Sequence, residues 1–199
     1  MLLELNENIY RTIEVERSKF IAYAYKVSTI EEFEQFYDLL KKEHQKARHI
    51  CYAYVIGENK KFSDDGEPSG TAGKPILNVI EKSNLINTAV FVVRYFGGTL
   101  LGSGRLLRTY VEASKMAIDN AKKIELVEMY EYKVRCEYDF INQFKYFLKS
   151  RHFVIKHIEF NDKIEIDFLA DLDFKDNLEE MFYKKIYIVS KNKCLSKKE

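Results

Sequence analysis

The sequence predicts an α+β protein of two domains. All eight glycines and both prolines lie between positions 57 and 104, and all of them except Gly57 belong to two loops that separate strand-like and helix-like segments. Beyond position 121, a second complete set of strands and helices follows with neither Gly nor Pro. Because each set of elements needs a hydrophobic core of its own, we expect one domain at 1–127 and another at 130–199.

The first domain should begin with a β-hairpin. Ile9–Val15 and Phe20–Val27 alternate apolar and polar residues as strands do, and Glu16–Lys19 lies between them as the turn. Ser28 and Glu31 then have the spacing of a capping box, which predicts Ser28 as the N-cap of a helix. The aromatic stripe of that helix is typical of packing against a sheet.

Four further elements surround the Gly-rich loops. His49–Ile56 and Thr88–Tyr95 are rich in β-branched and aromatic residues, which predicts two strands. Pro75 suits the first turn of a short helix, and apolar residues recur at helical spacing over Arg105–Ala121. The second Gly-rich loop is therefore expected between a strand and a helix.

The second domain has the predicted order βαββαβ. The expected strands are Tyr130–Tyr138, Phe153–Phe160, Ile164–Leu169 and Lys185–Ser190, with one helix capped by Asp139 and another over Leu172–Phe182. This order is the ferredoxin-like arrangement, in which both helices lie on one face of an antiparallel sheet. We expect the basic segment Lys191–Lys198 to be a solvated tail.

Composition limits the classes of function. A formal net charge of +1 argues against a strongly basic nucleic-acid binder, although balanced totals still allow a basic patch on one face. The three cysteines, Cys51, Cys136 and Cys194, lack the spacing of a disulfide framework or a zinc cluster. No apolar run reaches the roughly 20 residues of a membrane span, and the N-terminus lacks the pattern of a signal peptide. We therefore expect a cytoplasmic protein without a membrane partner.

The second Gly-rich loop is a candidate phosphate site. Its glycines, Gly97, Gly98, Gly102 and Gly104, would leave backbone amides uncovered where a helix begins, and such amides suit an anion. The cations that could contact phosphate oxygens are Lys74, Arg94, Arg105 and Arg108. Alternatively, the glycines only form a tight turn and allow the helix to pack closely on the sheet.

The first Gly-rich loop carries three carboxylates. Asp64, Asp65 and Glu67 lie within four residues and could hold Mg²⁺ together with a substrate phosphate. Turn formation and charge pairing with Lys74 or Arg94 explain the same residues at least as well. We therefore predict no metal, no other cofactor and no catalytic residue, and keep the carboxylates as residues of possible function.

A cysteine and a histidine share one face of a predicted strand. His49 and Cys51 are two residues apart, so their side chains point to the same side, which raises a cysteine–histidine nucleophile hypothesis. No orienting carboxylate is evident in the sequence. A buried thiol beside a partly exposed histidine is the simpler interpretation.

Two long motifs resemble a known family. Asp64–Pro75 (DDGEPSGTAGKP) and Arg94–Tyr110 (RYFGGTLLGSGRLLRTY) closely resemble the motifs of the YigZ/IMPACT family, and Ala47–Tyr54 (ARHICYAY) is similar to its upstream strand. The length of 199 residues resembles that of the bacterial two-domain members. Arg105 is a departure, since the family usually has a glycine there, and its side chain would narrow the loop or add charge to it.

The resemblance implies a fold and a function. It implies an N-terminal domain related to a ribosomal-protein and GHMP-kinase-like βαβ fold, and a C-terminal domain similar to the last domain of elongation factor G. The eukaryotic IMPACT branch is a translation regulator. We therefore expect a non-enzymatic protein that associates with RNA or the ribosome, or that regulates translation. The alternatives are a Mg²⁺-dependent nucleotide- or phosphate-handling enzyme and a regulator that binds only proteins.

Overall fold

The structure is a computed structural model that describes residues 1–174 and 177–197. The chain divides into two compact units, 1–125 and 126–199, and each has its own core of buried apolar side chains. The predicted two-domain α+β fold is confirmed. The predicted ends at 127 and 130 stay a prediction. None of the described helices has both the length and the apolar composition needed to span a bilayer.

The first unit is built on an antiparallel sheet with helices on both faces. Its elements are β1 (Leu2–Leu5), β2 (Ile9–Val15), β3 (Ser18–Lys26), α1 (Ile30–Glu43), β4 (His49–Ile56), β5 (Asn59–Ser63), α2 (Gly73–Lys82), β6 (Thr88–Tyr95) and α3 (Ser103–Asn120). The strand order is β2-β3-β6-β4-β5. One hydrophobic core joins the sheet to α2 and α3, and another joins its opposite face to α1.

The central strand explains why both faces are covered. Along β6, Val90 and Val92 belong to the core with α2 and α3, whereas Phe91 and Val93 belong to the core with α1. Successive side chains of a strand point to opposite faces, so a continuous apolar run has to be buried on both. Three predicted strands coincide with β2, β4 and β6.

Two predicted helix starts in the first unit are wrong by one or two residues. The N-cap of α1 is Thr29, not Ser28: its side chain accepts a hydrogen bond from the Glu32 amide (3.2 Å), and the Glu32 carboxylate accepts one from the Ser28 amide (2.6 Å). The capping bonds therefore lie one residue later than predicted, and the Glu32 carboxylate bonds the amide that precedes the N-cap. Helix α3 begins at Ser103, two residues before the predicted start.

The second unit has the ferredoxin-like arrangement. Its elements are β7 (Lys123–Cys136), α4 (Ile141–Ser150), β8 (Val154–Phe160), β9 (Ile164–Ala170), α5 (Asn177–Met181) and β10 (Ile186–Lys197). These four strands lie in the order β10-β7-β9-β8, and each neighbouring pair is antiparallel. The predicted βαββαβ order is confirmed.

Three predictions for the second unit need correction. The N-cap of α4 is Phe140, without a side-chain capping bond, so Asp139 does not cap this helix. Within the predicted helix over Leu172–Phe182, positions 172–174 are not helical and α5 covers Asn177–Met181, while positions 175 and 176 lie outside the described residues. The segment expected to be a solvated tail belongs to β10 up to Lys197, which is paired with Leu126. It stays extended because pairing with β7 satisfies the backbone groups of the segment. Lys198 lies outside the described residues.

Candidate functional site

Asp64 fixes the first Gly-rich loop, residues 64–72, to the start of α2. One carboxylate oxygen accepts hydrogen bonds from the amides of Ala72 (2.9 Å) and Gly73 (2.8 Å), and the other accepts one from the amide of Gly70 (2.9 Å). The N-cap residue Ala72 has no side-chain acceptor of its own, so a residue eight positions upstream supplies the cap. Bonds from amides to an ionised carboxylate are strong, and here they also satisfy donors at the positive end of a helix.

Asp65 ties the same loop to the start of β4. Its carboxylate accepts a hydrogen bond from the Ile50 amide (2.6 Å), and its carbonyl oxygen lies 2.7 Å from Nδ1 of His49. A carbonyl only accepts, so Nδ1 of His49 carries the proton. The other ring nitrogen of His49 faces the carboxylate of Glu67 at 3.8 Å.

Glu67 is the centre of a buried polar network. Its Oε1 accepts hydrogen bonds from Nη1 of Arg94 on β6 (2.6 Å) and from the hydroxyl of Tyr110 on α3 (2.8 Å). Glu67 and Arg94 are only 8% and 5% exposed, and Tyr110 is fully buried. The Tyr110 hydroxyl also lies 3.3 Å from the sulfur of Cys51 on β4. The predicted charge pairing of a loop carboxylate with Arg94 is therefore confirmed for Glu67.

These contacts bear directly on the Mg²⁺ hypothesis. Each of the three carboxylates already accepts hydrogen bonds from the protein, Asp64 through both oxygens. Within residues 1–174 and 177–197, no group of three or more His, Cys, Asp or Glu side chains is arranged to hold a metal ion. The geometry therefore favours a structural role for the first Gly-rich loop.

The surroundings of Cys51 do not favour a nucleophile. Its sulfur is fully buried and lies 3.0 Å from the carbonyl oxygen of Asp64. Burial raises the pKa of the Cys51 thiol well above its usual range, against a smaller opposing effect of the hydrogen bond to Tyr110. Because the thiolate is the reactive form, the folded environment suppresses its chemistry.

We expect Cys51 of the native protein to resist alkylation by iodoacetamide at pH 8, and to react readily once urea unfolds the chain. Mass spectrometry of the Cys51 peptide before and after unfolding measures this. The partly exposed Cys194 is the internal control, and it should be modified faster than Cys51 in the native state. Equal labelling of Cys51 in both states would restore the nucleophile hypothesis.

The second Gly-rich loop, residues 96–102, passes close to the turn between β2 and β3. A Cβ atom at Gly97 would overlap the backbone of Arg17 and Ser18, and the Gly97 amide donates to the Ser18 hydroxyl (3.0 Å). Gly98 and Gly102 have φ values of 86° and 75°, a region that glycine occupies without strain. The tight-turn interpretation therefore accounts for three of the four glycines.

The N-terminus of α3 carries cations where helices usually carry anions. Its first turn has no acidic residue, and the N-cap Gly102 has no side chain to accept a hydrogen bond. Arg105 and Arg108 are both exposed. Arg105 pairs with Glu16 across the surface (2.7 Å), while Nη1 of Arg108 lies 3.8 Å from the position that a Gly104 Cβ would take. The two predicted cations on the first two turns of α3 are thus Arg105 and Arg108.

The other two predicted cations are placed differently. Arg94 is turned inward to Glu67, so its guanidinium is withdrawn from the surface. Lys74 is exposed on the first turn of α2 and lies 5.7 Å from the centre of the Phe62 ring. Of the four predicted cations, Arg105 and Arg108 are therefore the two that are exposed directly after the second loop.

Two exposed apolar side chains on the second loop were missed from the sequence. Phe96 is 47% exposed and Leu100 is 87% exposed. The Phe96 ring centre lies 5.6 Å from the Arg94 guanidinium. Apolar residues in a loop between a strand and a helix are ordinarily assigned to the core, and only the interruption by glycines could have indicated otherwise.

Comparison with known proteins defines the class to which this fold and these loops belong. The family model described as Impact N-terminal domain matches residues 16–118, and the model described as Domain of unknown function (DUF1949) matches residues 134–182. The chain belongs to the IMPACT family.

Particular relatives support this assignment. The chain is 38% identical over 158 residues to IMPACT family member YvyE of Bacillus subtilis, covering 78% of this chain and 73% of the relative. It is 37% identical over 130 residues to IMPACT family member YigZ of Escherichia coli, covering 63% of this chain and 64% of the relative, just under two thirds of its length. A crystal structure of a hypothetical protein, 27% identical, matches with a TM-score of 0.70 over 94% of this chain and 95% of its own.

Proposed function

We propose that this protein is a non-enzymatic regulator of translation in the cytoplasm, and that it binds the phosphate backbone of RNA through the second Gly-rich loop and the N-terminus of α3. Membership of a family whose eukaryotic branch regulates translation supports the first part of the proposal. The second part is carried by one observation, the position of two arginines in the first two turns of α3.

The electrostatics of this helix end are unfavourable without a ligand. The unpaired amides at a helix N-terminus carry partial positive charge. A nearby cation therefore destabilises the helix by about 0.3–1 kcal/mol, whereas an anion in the same place stabilises it. Arg105 has Glu16 to offset this cost, whereas Arg108 makes no ion pair with any carboxylate in the described parts of the chain. A bound phosphate would neutralise Arg108 and accept hydrogen bonds from the amides at once.

The neighbouring ring suits an unpaired base. Phe96 is half exposed beside the glycines, and aromatic side chains next to a cationic track are the common means of binding single strands without sequence preference. Arg94 has a positioning role here. Its guanidinium donates a hydrogen bond to the Glu67 carboxylate of the first loop and lies 5.6 Å from the centre of the Phe96 ring in the second loop. Lys74 is a further exposed cation, just after the end of the first Gly-rich loop.

The test is binding of a fluorescein-labelled oligouridine to the full chain over a series of salt concentrations. Replacing both loop arginines, Arg105→Ala/Arg108→Ala, should weaken binding and lower the slope of log K against log[salt] by about 1.4, since each phosphate contact on a single strand contributes about 0.7. Fluorescence anisotropy measures both quantities. Arg94 is left intact because its replacement would disturb a buried ion pair.

A matched charge change serves as the control. Lys42→Ala/Lys46→Ala removes two exposed cations at the end of α1, which packs on the opposite face of the sheet from α3. This variant should bind like the wild type. A wild-type salt response that is flat, or loop and control variants that bind equally well, would contradict the assignment of RNA to this loop.

A protein partner is the second candidate, and one observation favours it. Leu100 presents an almost fully exposed apolar side chain in the loop. This side chain can neither hydrogen-bond nor pair with a phosphate, whereas it could pack against an apolar surface of a protein. If Leu100→Ser abolishes co-sedimentation with ribosomes while the affinity for oligouridine is unchanged, the loop binds protein rather than RNA.

A further inference from the structure

The second unit contains a long stretch without any acidic residue. From Phe140 to Ile158 the sequence has no Asp or Glu, and its basic residues are Lys145, Lys149, Arg151, His152, Lys156 and His157. This stretch comprises α4 and most of β8. The local sequence is therefore basic in a chain whose overall charge is close to zero.

A groove lies in the middle of this stretch. It encloses about 510 Å³ and is lined by Lys145, Tyr146 and Lys149 of α4 together with residues 152–155. Its lining combines the apolar side chains of Phe153 and Val154 with the amines of the two lysines. A volume of several hundred cubic ångströms is that of an ordinary small-ligand site, large enough for a nucleotide unit.

The lysines of the groove differ from the cations on the sheet surface of this unit. On the sheet surface opposite the helices, Lys156 pairs with Glu131 (2.8 Å) and Arg135 with Glu165 (2.9 Å). Lys145 and Lys149, by contrast, make no ion pair with a carboxylate of residues 1–174 or 177–197. The helix dipole accounts for Lys149 in the last turn of α4, but not for Lys145 one turn earlier.

An exposed aromatic ring lies between these two lysines in the sequence. Tyr146 is 75% exposed, so most of its apolar ring is in contact with water. A nucleobase stacking on this ring would recover the apolar contact, and the phosphates on either side of it would come within reach of Lys145 and Lys149. Cations that follow the backbone and an aromatic side chain that stacks a base are the two components of single-strand recognition.

We propose that the groove between α4 and β8 binds a nucleotide unit of single-stranded RNA, with the base on Tyr146 and the flanking phosphates on Lys145 and Lys149. This inference rests on the ligand class of the proposed function and extends it to a second site, made of other residues in the other unit. It needs no contribution from the Gly-rich loop.

The experiment compares three variants of the full chain by fluorescence anisotropy with labelled oligouridine. Lys145→Glu/Lys149→Glu should weaken binding at least tenfold and lower the salt slope by about 1.4. Tyr146→Ala keeps every charge and should weaken binding about 5- to 150-fold, the range for one stacked base, while Tyr146→Phe should bind like the wild type. Lys184→Glu/Lys185→Glu makes the same charge change elsewhere in the unit and should have little effect.

Three results would overturn the inference. One is wild-type affinity in Lys145→Glu/Lys149→Glu, and another is an equal loss in Lys184→Glu/Lys185→Glu, which would indicate a general charge effect. The third is Tyr146-dependent binding of a polyglutamate peptide without binding of oligouridine, which would assign the groove to an acidic protein segment.

The loop and the groove are tested by different variants. Loss of binding in Lys145→Glu/Lys149→Glu with no loss in Arg105→Ala/Arg108→Ala would support the groove and reject the loop. The reverse pattern would support the loop and reject the groove.

Discussion

Glu67→Gln should lower the free energy of unfolding by about 3–5 kcal/mol, because it leaves the buried guanidinium of Arg94 without a counterion. The two side chains are almost inaccessible to water, and the shared oxygen of Glu67 lies 2.6 Å from Arg94 Nη1. Urea unfolding followed by circular dichroism measures the change. The variant should unfold at a lower urea concentration with an unchanged m value.

A surface pair provides the matched control for this prediction. Glu81 on α2 pairs with Lys60 at 2.8 Å, but both side chains are substantially exposed. Glu81→Gln should therefore cost no more than about 1 kcal/mol. Replacing both members of the buried pair, Glu67→Gln/Arg94→Met, should restore part of the stability lost in Glu67→Gln. If the double variant is less stable than Glu67→Gln, the unpaired charge is not the cause of the loss.

Gly97→Ala should destabilise the protein by about 3 kcal/mol, at the upper end of the range for overpacking. The added methyl group would overlap backbone atoms of Arg17 and Ser18, which cannot rotate away as a flexible side chain can. The turn between β2 and β3 would have to move, or the second Gly-rich loop would have to detach from it. Thermal unfolding monitored by circular dichroism gives the change.

Gly104→Ala is the control for Gly97→Ala and should have the opposite sign. Apart from the adjacent residues and the backbone of its own helix, the described atom that a Cβ at Gly104 would meet within 4 Å is Nη1 of Arg108, at 3.8 Å, an ordinary contact distance. Alanine in a helix is favoured over glycine by roughly 0.5–1 kcal/mol, so this variant should be slightly more stable than the wild type. Equal destabilisation by both substitutions would contradict steric overlap as the cause of the loss of stability in Gly97→Ala.

The sequence predicted best the elements whose signal is local. The limits of β2, β4 and β6 follow from runs of alternating or apolar residues, and the structure has the same limits. Strand β5 was not predicted because NKKFS has no apolar pattern; it forms by pairing with the edge of β4. The end of β10 was missed for the same reason, since its partner strand determines how far a polar segment stays extended.

The candidate site was harder to predict because its contacts join distant positions. Arg94 and Tyr110 lie 27 and 43 residues after Glu67 in the sequence, and no spacing rule connects the three residues. Arg94 was predicted as a phosphate contact or as the partner of a loop carboxylate, and the sequence did not decide between them; a buried arginine is rare, and the ion pair with Glu67 explains this one. The acid-free stretch around α4, in contrast, is visible in the sequence alone.

The bonds made by Asp64 have a consequence for how the first Gly-rich loop opens. Three amides, those of Gly70, Ala72 and Gly73, share a single carboxylate as acceptor. Rotation of that one side chain would leave all three amides without their acceptor at once. We therefore expect the loop and the first turn of α2 to open as one cooperative unit in hydrogen exchange, with similar protection at the three amides.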